Sequence, residues 1–258
     1  MSPTDSSRPA ARPSRAPNAR LAGLLYLVPM FCGPFSMMYV PSTIVVPGDA
    51  AATAANLVAS EGLFRLGMLS DSVIVVAEVV LTAMLYVLLR PAGRTLALAA
   101  TFARLGMTVL QAVNLLPQLA ALQLVGGAAY LAAFDVGQRQ ALALLSLHVH
   151  DVGVHVWEIF FGLHCLLLGV LIFRSGFFPR TFGVLMGIAS FGYALNGLGN
   201  LVAPGSAPVF AAIVGIAALV GEVPFVLWLL IKGVDASRWQ DADQRSMRMF
   251  PVTVPAAG

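Results

Sequence analysis

Charge is the scarcest thing in this sequence. Asp, Glu, Lys and Arg make up 10% of its 258 residues, against about 25% in a soluble domain. A chain this poor in charge cannot cover a water-facing surface, which excludes a soluble globular protein. Lysine is nearly missing: Lys232 is the single lysine among fifteen basic residues. Those fifteen leave a net charge of +3 and lie scattered along the chain, so no basic patch points to nucleic acid. Cysteine is scarce too. Cys32 and Cys165 both fall inside apolar runs, which excludes a disulfide framework and any C-x-x-C redox or zinc motif. There is no phosphate-binding Walker loop, no dinucleotide fingerprint after a strand and no nucleophile elbow.

What the chain has is apolar length. Hydrophobic residues make up 59% of it, and about 20 apolar residues cross a bilayer as a helix. The runs predict six spans, at about 21–40, 68–89, 96–122, 151–173, 182–202 and 209–231. The fold expected is all-α, a bundle of six transmembrane helices partnered by the lipid bilayer. Residues 1–19, rich in Pro, Arg, Ser and Ala, read as a disordered tail. Residues 20–234 form the membrane domain and 235–258 a second, charged tail. Pro29 or Pro34 should bend the first span. Pro47-Gly48-Asp49 reads as a turn with Asp49 capping a short helix at 50–64. The helical pattern from 141 to 173 is about 50 Å long, so it either projects from the bilayer or breaks near Gly153. A further short outer helix is expected at 140–150.

Basic residues orient the bundle. With six spans, twelve Lys and Arg fall on the side of the termini: Arg8, Arg12, Arg15, Arg20, Arg90, Arg94, Arg174, Arg180, Lys232, Arg238, Arg245 and Arg248. The other side holds Arg65 and Arg139, and Arg104 lies within a span. Positive charge stays inside, so both termini are expected in the cytoplasm.

Several segments together carry a resemblance. They are RLAGLLY at 20–26, VPGDAAATAAN at 46–56, LFR at 63–65, LYVLLRP at 85–91, FFGLH at 160–164, FRSG at 173–176, PR at 179–180 and LWLLIKG at 227–233. Over about residues 20–234 the chain resembles the bacterial membrane family catalogued as Domain of Unknown Function 4386. The resemblance implies a multi-span protein of the bacterial inner membrane, and no accepted activity comes with it.

The chemistry on offer lies in the ionisable residues within spans. Glu78 is 12 residues from Arg90, while Arg104, His164 and Glu222 are each 10 from Arg94, Arg174 and Lys232. At 1.5 Å per residue all four sit about 15–18 Å deep, near the bilayer centre. A charged side chain there costs about 2.5–3.5 kcal/mol facing lipid, so mutual pairing is expected. Spans two and three are neighbours through a short turn, which predicts a Glu78–Arg104 pair. All four histidines, His148, His150, His155 and His164, fall in one stretch. His148, Asp151, His155 and Glu158 follow helical spacing on one face. Small residues mark packing seams: Gly183, Gly187, Ser190, Ala194 and Gly197 on span five, and Ala211, Gly215 and Ala218 in line with Glu222 on span six.

Three functions compete. The first is an internal polar cavity that binds or moves a proton, a cation or a small polar solute. Its centre would be Glu78, Arg104, His164 and Glu222, and its outer mouth Asp71, Asp151, His155 and Glu158. The second is a metal-dependent membrane enzyme of hydrolase type, with His148, Asp151, His155 and Glu158 holding a divalent ion such as zinc. The third is a scaffold or sensor without chemistry.

Overall fold

The structure, a computed structural model, describes residues 16–249. The tails expected at 1–19 and 235–258 lie partly outside this range. Among the described residues every regular element is helical. The helices are α1 (Ala19–Pro34), α2 (Val40–Ile44), α3 (Ala50–Ala59), α4 (Glu61–Leu89), α5 (Arg94–Val113), α6 (Leu115–Val125), α7 (Val136–Ser175), α8 (Arg180–Val202), α9 (Ala207–Ile231) and α10 (Ala236–Met249). A π-helical turn, Phe35–Tyr39, joins α1 to α2. Six stretches are long and apolar enough to cross a membrane: Ala19–Ile44, Glu61–Ala92, Arg94–Val125, Val136–Ser175, Arg180–Val202 and Pro204–Ile231.

The spans close into a ring. α1 packs on α4, α4 on α5, α5 on α7, α7 on α8, α8 on α9, and α9 back on α1. The start of α1 and the end of α9 meet, with the Arg20 guanidinium donating to the Ile231 carbonyl at 3.3 Å. This end also carries α10, and the opposite end carries α3.

Local chemistry explains where the helices bend. Pro34 has no N–H to offer the carbonyl four residues back, and the chain widens into the π turn at the next residue. That turn aims Ser36 inward, where it is 2% exposed. Asp49 caps α3 as expected, accepting from the Ala52 N–H at 2.9 Å. The helix expected over 50–64 divides at Ser60, and Glu61 begins the second span seven residues before its expected start at 68.

The third span, expected to run unbroken over 96–122, breaks at Asn114. Pro117 is the cause: it cannot bond the Val113 carbonyl, and its ring crowds that oxygen. The fourth helix, in contrast, does not break at Gly153. It runs unbroken for 40 residues, about 60 Å, so it projects well beyond a core of roughly 30 Å. Its start absorbs the outer helix expected at 140–150. Asp135 and Gln138 form a reciprocal capping box at 2.8 and 3.0 Å. The missing side chain of Gly153 makes room for Asn114, whose amide a Cβ there would strike.

Close contacts between helices depend on glycine. A Cβ on Gly169 would lie 2.7 Å from the Gly183 carbonyl oxygen, and one on Gly221 would lie 2.7 Å from that of Leu185. The seam on α8 is therefore real, although Gly187 faces open space. On α9 the expected face is displaced. Ala217 and Gly221 are buried against α8, Gly215 is open, and Glu222 sits at the margin.

The second tail is no loose segment where it is described. α10 docks on the turn after α4, with Trp239 1% exposed and its indole N–H donating to the Leu88 carbonyl at 2.8 Å. Asp235 caps α10. Ser237 Oγ at 2.7 Å and the Arg238 N–H at 3.1 Å hold its carboxyl below the ordinary carboxylate range. The contribution of this cap is complete above about pH 4 and fades as pH falls through the lowered value. Acid titration followed by Trp239 emission should show α10 loosening only below that point, whereas Asp235→Ala, which has no carboxyl to protonate, should already be looser at neutral pH.

Gly169→Leu should force α7 from α8 and lower stability by about 1–3 kcal/mol, whereas Gly187→Leu should be neutral. Thermal unfolding in detergent distinguishes them. Equal effects would contradict the packing described.

Candidate functional site

Arg104 stands at the middle of the ring and is 1% exposed. Its guanidinium grips Glu78 through two bonds, Nε to Oε2 at 2.6 Å and Nη2 to Oε1 at 3.0 Å. Charge and the planar two-point fork make this one of the stronger hydrogen-bonded contacts between side chains. Nη1 reaches the Tyr26 hydroxyl at 3.3 Å and His164 Nε2 at 3.0 Å. Arginine can only donate, so His164 Nε2 is the acceptor. Its other nitrogen, Nδ1, then carries the proton and donates to the Ala100 carbonyl at 2.9 Å. The two partners thus select one neutral tautomer of His164. The rings of Tyr26 and Phe161 lie 5.0 and 5.5 Å from the guanidinium carbon, near enough to stabilise the cation through their π faces. Helices α1, α4, α5 and α7 each contribute to this cluster.

Of the four central residues expected, three meet here. Glu222 belongs to a second contact, accepting from the Tyr193 hydroxyl at 2.7 Å. Tyr193 packs edge-on against Phe161, with centroids 4.7 Å apart, so the two contacts share a wall.

The residues expected at the outer mouth divide. Glu158 is buried and accepts from the Asn196 amide at 2.9 and 2.7 Å. Asn200 in turn donates to Asn196 Oδ1 at 3.0 Å. His155 Nδ1 lies 3.2 Å from Glu158 Oε2. Asp151 and His148 are exposed instead. They share a helical face with Glu158, but the ring packs against a neighbouring stripe through Leu147, His150, Glu158 and Phe161. Asp71, 2% exposed, sits in a third cluster. It accepts from Ser36 Oγ at 2.6 Å and lies against Gln118 and His150. His150 Nδ1 is 2.8 Å from the Asn114 carbonyl, and its Nε2 is 3.1 Å from Gln118 Nε2. The Asn114 amide completes the cluster, donating to the His150 carbonyl at 2.9 Å. Gln118 Oε1 is buried without a partner.

Sequence reasoning missed Tyr26, Tyr193, Asn196, Asn114 and Gln118 as partners. The signal was present for the last three, since an amide side chain inside an apolar span asks for a partner.

One expectation needs correction. The four residues proposed for zinc do not converge, because two of them face outward. Among the described residues no three His, Cys, Asp or Glu side chains are placed to hold a metal ion. The site does not fit zinc, and the metal-enzyme reading loses its ligands. The void beside the central cluster is small. The space beside His164, bounded by Thr82, Tyr86, Ala97, Thr101 and Leu168, measures about 10 Å³, at the lower limit for one water.

Six apolar helices closed around a packed ionisable interior define a polytopic helical membrane protein. The chain belongs to the family described as Domain of unknown function (DUF4386), whose profile matches residues 21–233. It is also similar to a protein of Archaeoglobus fulgidus named "Uncharacterized protein", at 29% identity over 161 residues, 62% of this chain and 79% of the other. No solved structure matches.

Removing Arg104 should strand Glu78 in the interior. Arg104→Met should therefore cost about 3–5 kcal/mol, and the double variant Glu78→Leu/Arg104→Met should recover much of it. Denaturant unfolding of the purified protein measures both. A loss below about 1 kcal/mol in the single variant would contradict a buried pair.

Proposed function

We propose that this protein lies in the bacterial inner membrane, with its α10 end in the cytoplasm, and binds and relays protons through its interior. The orientation is supported by basic residues. Arg20, Arg90, Arg94, Arg174, Arg180 and Lys232 ring the α10 end, against Arg65 and Arg139 at the α3 end, which follows the positive-inside rule.

The observation that carries the proton reading is a charge imbalance. Asp71, Glu78 and Glu158 are buried in the ring and Glu222 reaches Tyr193 at its margin, while among the described residues Arg104 is the only buried permanent cation. Arg104 is taken by Glu78. The other three carboxylates meet a serine, an asparagine and a tyrosine, with His150 and His155 as the nearest bases. A carboxylate unbalanced at membrane depth is expensive. Protons taken into this interior would offset that cost, and His150 and His155 stand beside Asp71 and Glu158 to share them. The small void beside His164, about 10 Å³, favours a proton over a hydrated cation or polar solute at the central cluster, because a proton needs no volume of its own. In this account His155 and Glu158 form the outer mouth. Glu222 with Tyr193 lies deeper, and the Glu78–Arg104 pair, whose charges cancel, holds the surrounding helices in register.

Proteoliposomes carrying a pH-sensitive dye and an imposed potential test this. Wild type should acidify or alkalinise with the potential. Glu158→Gln and Glu222→Gln should each slow this by at least about tenfold, in the range of lost acid–base groups, while exposed Asp151→Asn should not. Flux in folded wild type no greater than in empty liposomes would remove the relay and leave a scaffold or sensor.

A further inference from the structure

Gln118 follows Pro117 inside an apolar run and is 5% exposed. A buried amide has two N–H donors and a carbonyl acceptor to place. Its Nε2 lies 3.1 Å from His150 Nε2, and Asp71 lies against the same side chain. Its Oε1 is buried with no hydrogen-bond partner. A group orphaned in this way asks for an explanation.

The chemistry of His150 supplies one. Its Nδ1 faces the Asn114 carbonyl at 2.8 Å. A carbonyl only accepts, so Nδ1 carries a hydrogen whether the ring is neutral or charged. Asn114 also holds the backbone of α7 in this register, its amide seated against Gly153 and donating to the His150 carbonyl at 2.9 Å. At the other nitrogen the Gln118 N–H points to Nε2. Nε2 is therefore bare in this arrangement, and His150 is neutral. A proton arriving at Nε2 would set donor against donor. Half a turn of the amide removes that conflict, because Oε1 then stands where Nε2 stood and accepts from the ring. The atom left orphaned beside the neutral ring is the atom that the charged ring needs.

We infer that Gln118 is the switch that lets His150 hold a proton: as Nε2 takes the proton, the amide turns and Oε1 receives it. Two carboxyls face the imidazolium so formed, Asp71 from α4 and Asp151 from the next position on α7. The helices α3 and α6, packed against this part of α7, carry no ionisable residue. A proton passing from the Asp71 carboxyl to His150 Nε2 leaves a carboxylate that still accepts from Ser36 Oγ, and the net charge of the cluster does not change. The switch deepens the proton reading above and rests on it, since it concerns how one interior site takes up its proton.

Nitrogen-15 NMR of the histidine-labelled full chain in liposomes, with no gradient imposed, tests it. His150→Gln identifies the His150 signals. In wild type the neutral ring should carry its hydrogen on Nδ1, and as pH falls Nε2 should gain one while Nδ1 keeps its own. Gln118→Leu removes the turning acceptor. A hydrogen bond to a charged ring outweighs one to a neutral ring, so this variant should bind the proton about tenfold more weakly, with the midpoint lower by about one pH unit. Gln118→Met, which keeps the length of the side chain, replaces it if the leucine protein does not fold. A neutral ring with its hydrogen on Nε2, a His150 still neutral at about pH 4 in folded protein, or an unchanged midpoint in the folded Gln118 variant overturns the switch. The relay is judged apart from this. Absent flux in liposomes with the titration intact strikes the relay alone, and flux with a His150 that stays neutral strikes the switch alone.

Discussion

Arg104 carries a charge with no route to water. Its side chain is enclosed by the ring of helices and is 1% exposed. A cation so placed persists only if the surrounding helices supply a counter-charge, acceptors for its N–H groups and polarisable surfaces for its faces. Glu78 supplies the charge, His164 and Tyr26 the acceptors, and Tyr26 and Phe161 the ring faces. Four spans must come together in one register to do this. The need of one side chain thereby sets the depth and rotation of α1, α4, α5 and α7 relative to one another.

The rest of the bundle is arranged so that this register can close. Lipid offers helices no hydrophobic drive to associate, so packing and hydrogen bonds must hold them. Glycine contacts bring α8 against α7 and α9, and the Asn196–Glu158 bonds join α7 to α8 where the seam meets the polar interior. Glu222 is pinned to α8 by Tyr193, which leans on the ring that also covers Arg104. The polar groups thus form neighbouring hydrogen-bonded knots, two of which share the Phe161 wall. Protons suit such an interior because they need no volume of their own.

Much of this could be read before any coordinates. Six apolar runs and the sorting of arginines gave the number of spans. Counting residues from Arg90 and Arg94 placed Glu78 and Arg104 at one depth, and the turn between their helices made them partners. Other features were hidden for definite reasons. Helical spacing says which residues share a face but not which face turns inward, so His148 and Asp151 were grouped with Glu158 although the ring packs one stripe over, through His150. The same ambiguity misplaced the contact face of α9, where Ala217 and Gly221 pack and Gly215 does not. The break at Asn114 was legible from Pro117, whose missing N–H was overlooked inside an otherwise apolar run. The docking of α10 was obscure because its composition is polar and its buried face is short, made of Trp239, Ala242 and Asp243.

The central claim is that interior carboxylates outnumber the fixed cation and hold exchangeable protons. Infrared difference spectroscopy of the reconstituted protein examines this directly, because a protonated carboxyl has a C=O stretch that a carboxylate lacks. Wild type at neutral pH should show such a band, shifting on exchange into heavy water and weakening in Glu222→Gln and Asp71→Asn. A spectrum with carboxylate bands alone, in protein that remains folded, would contradict the account.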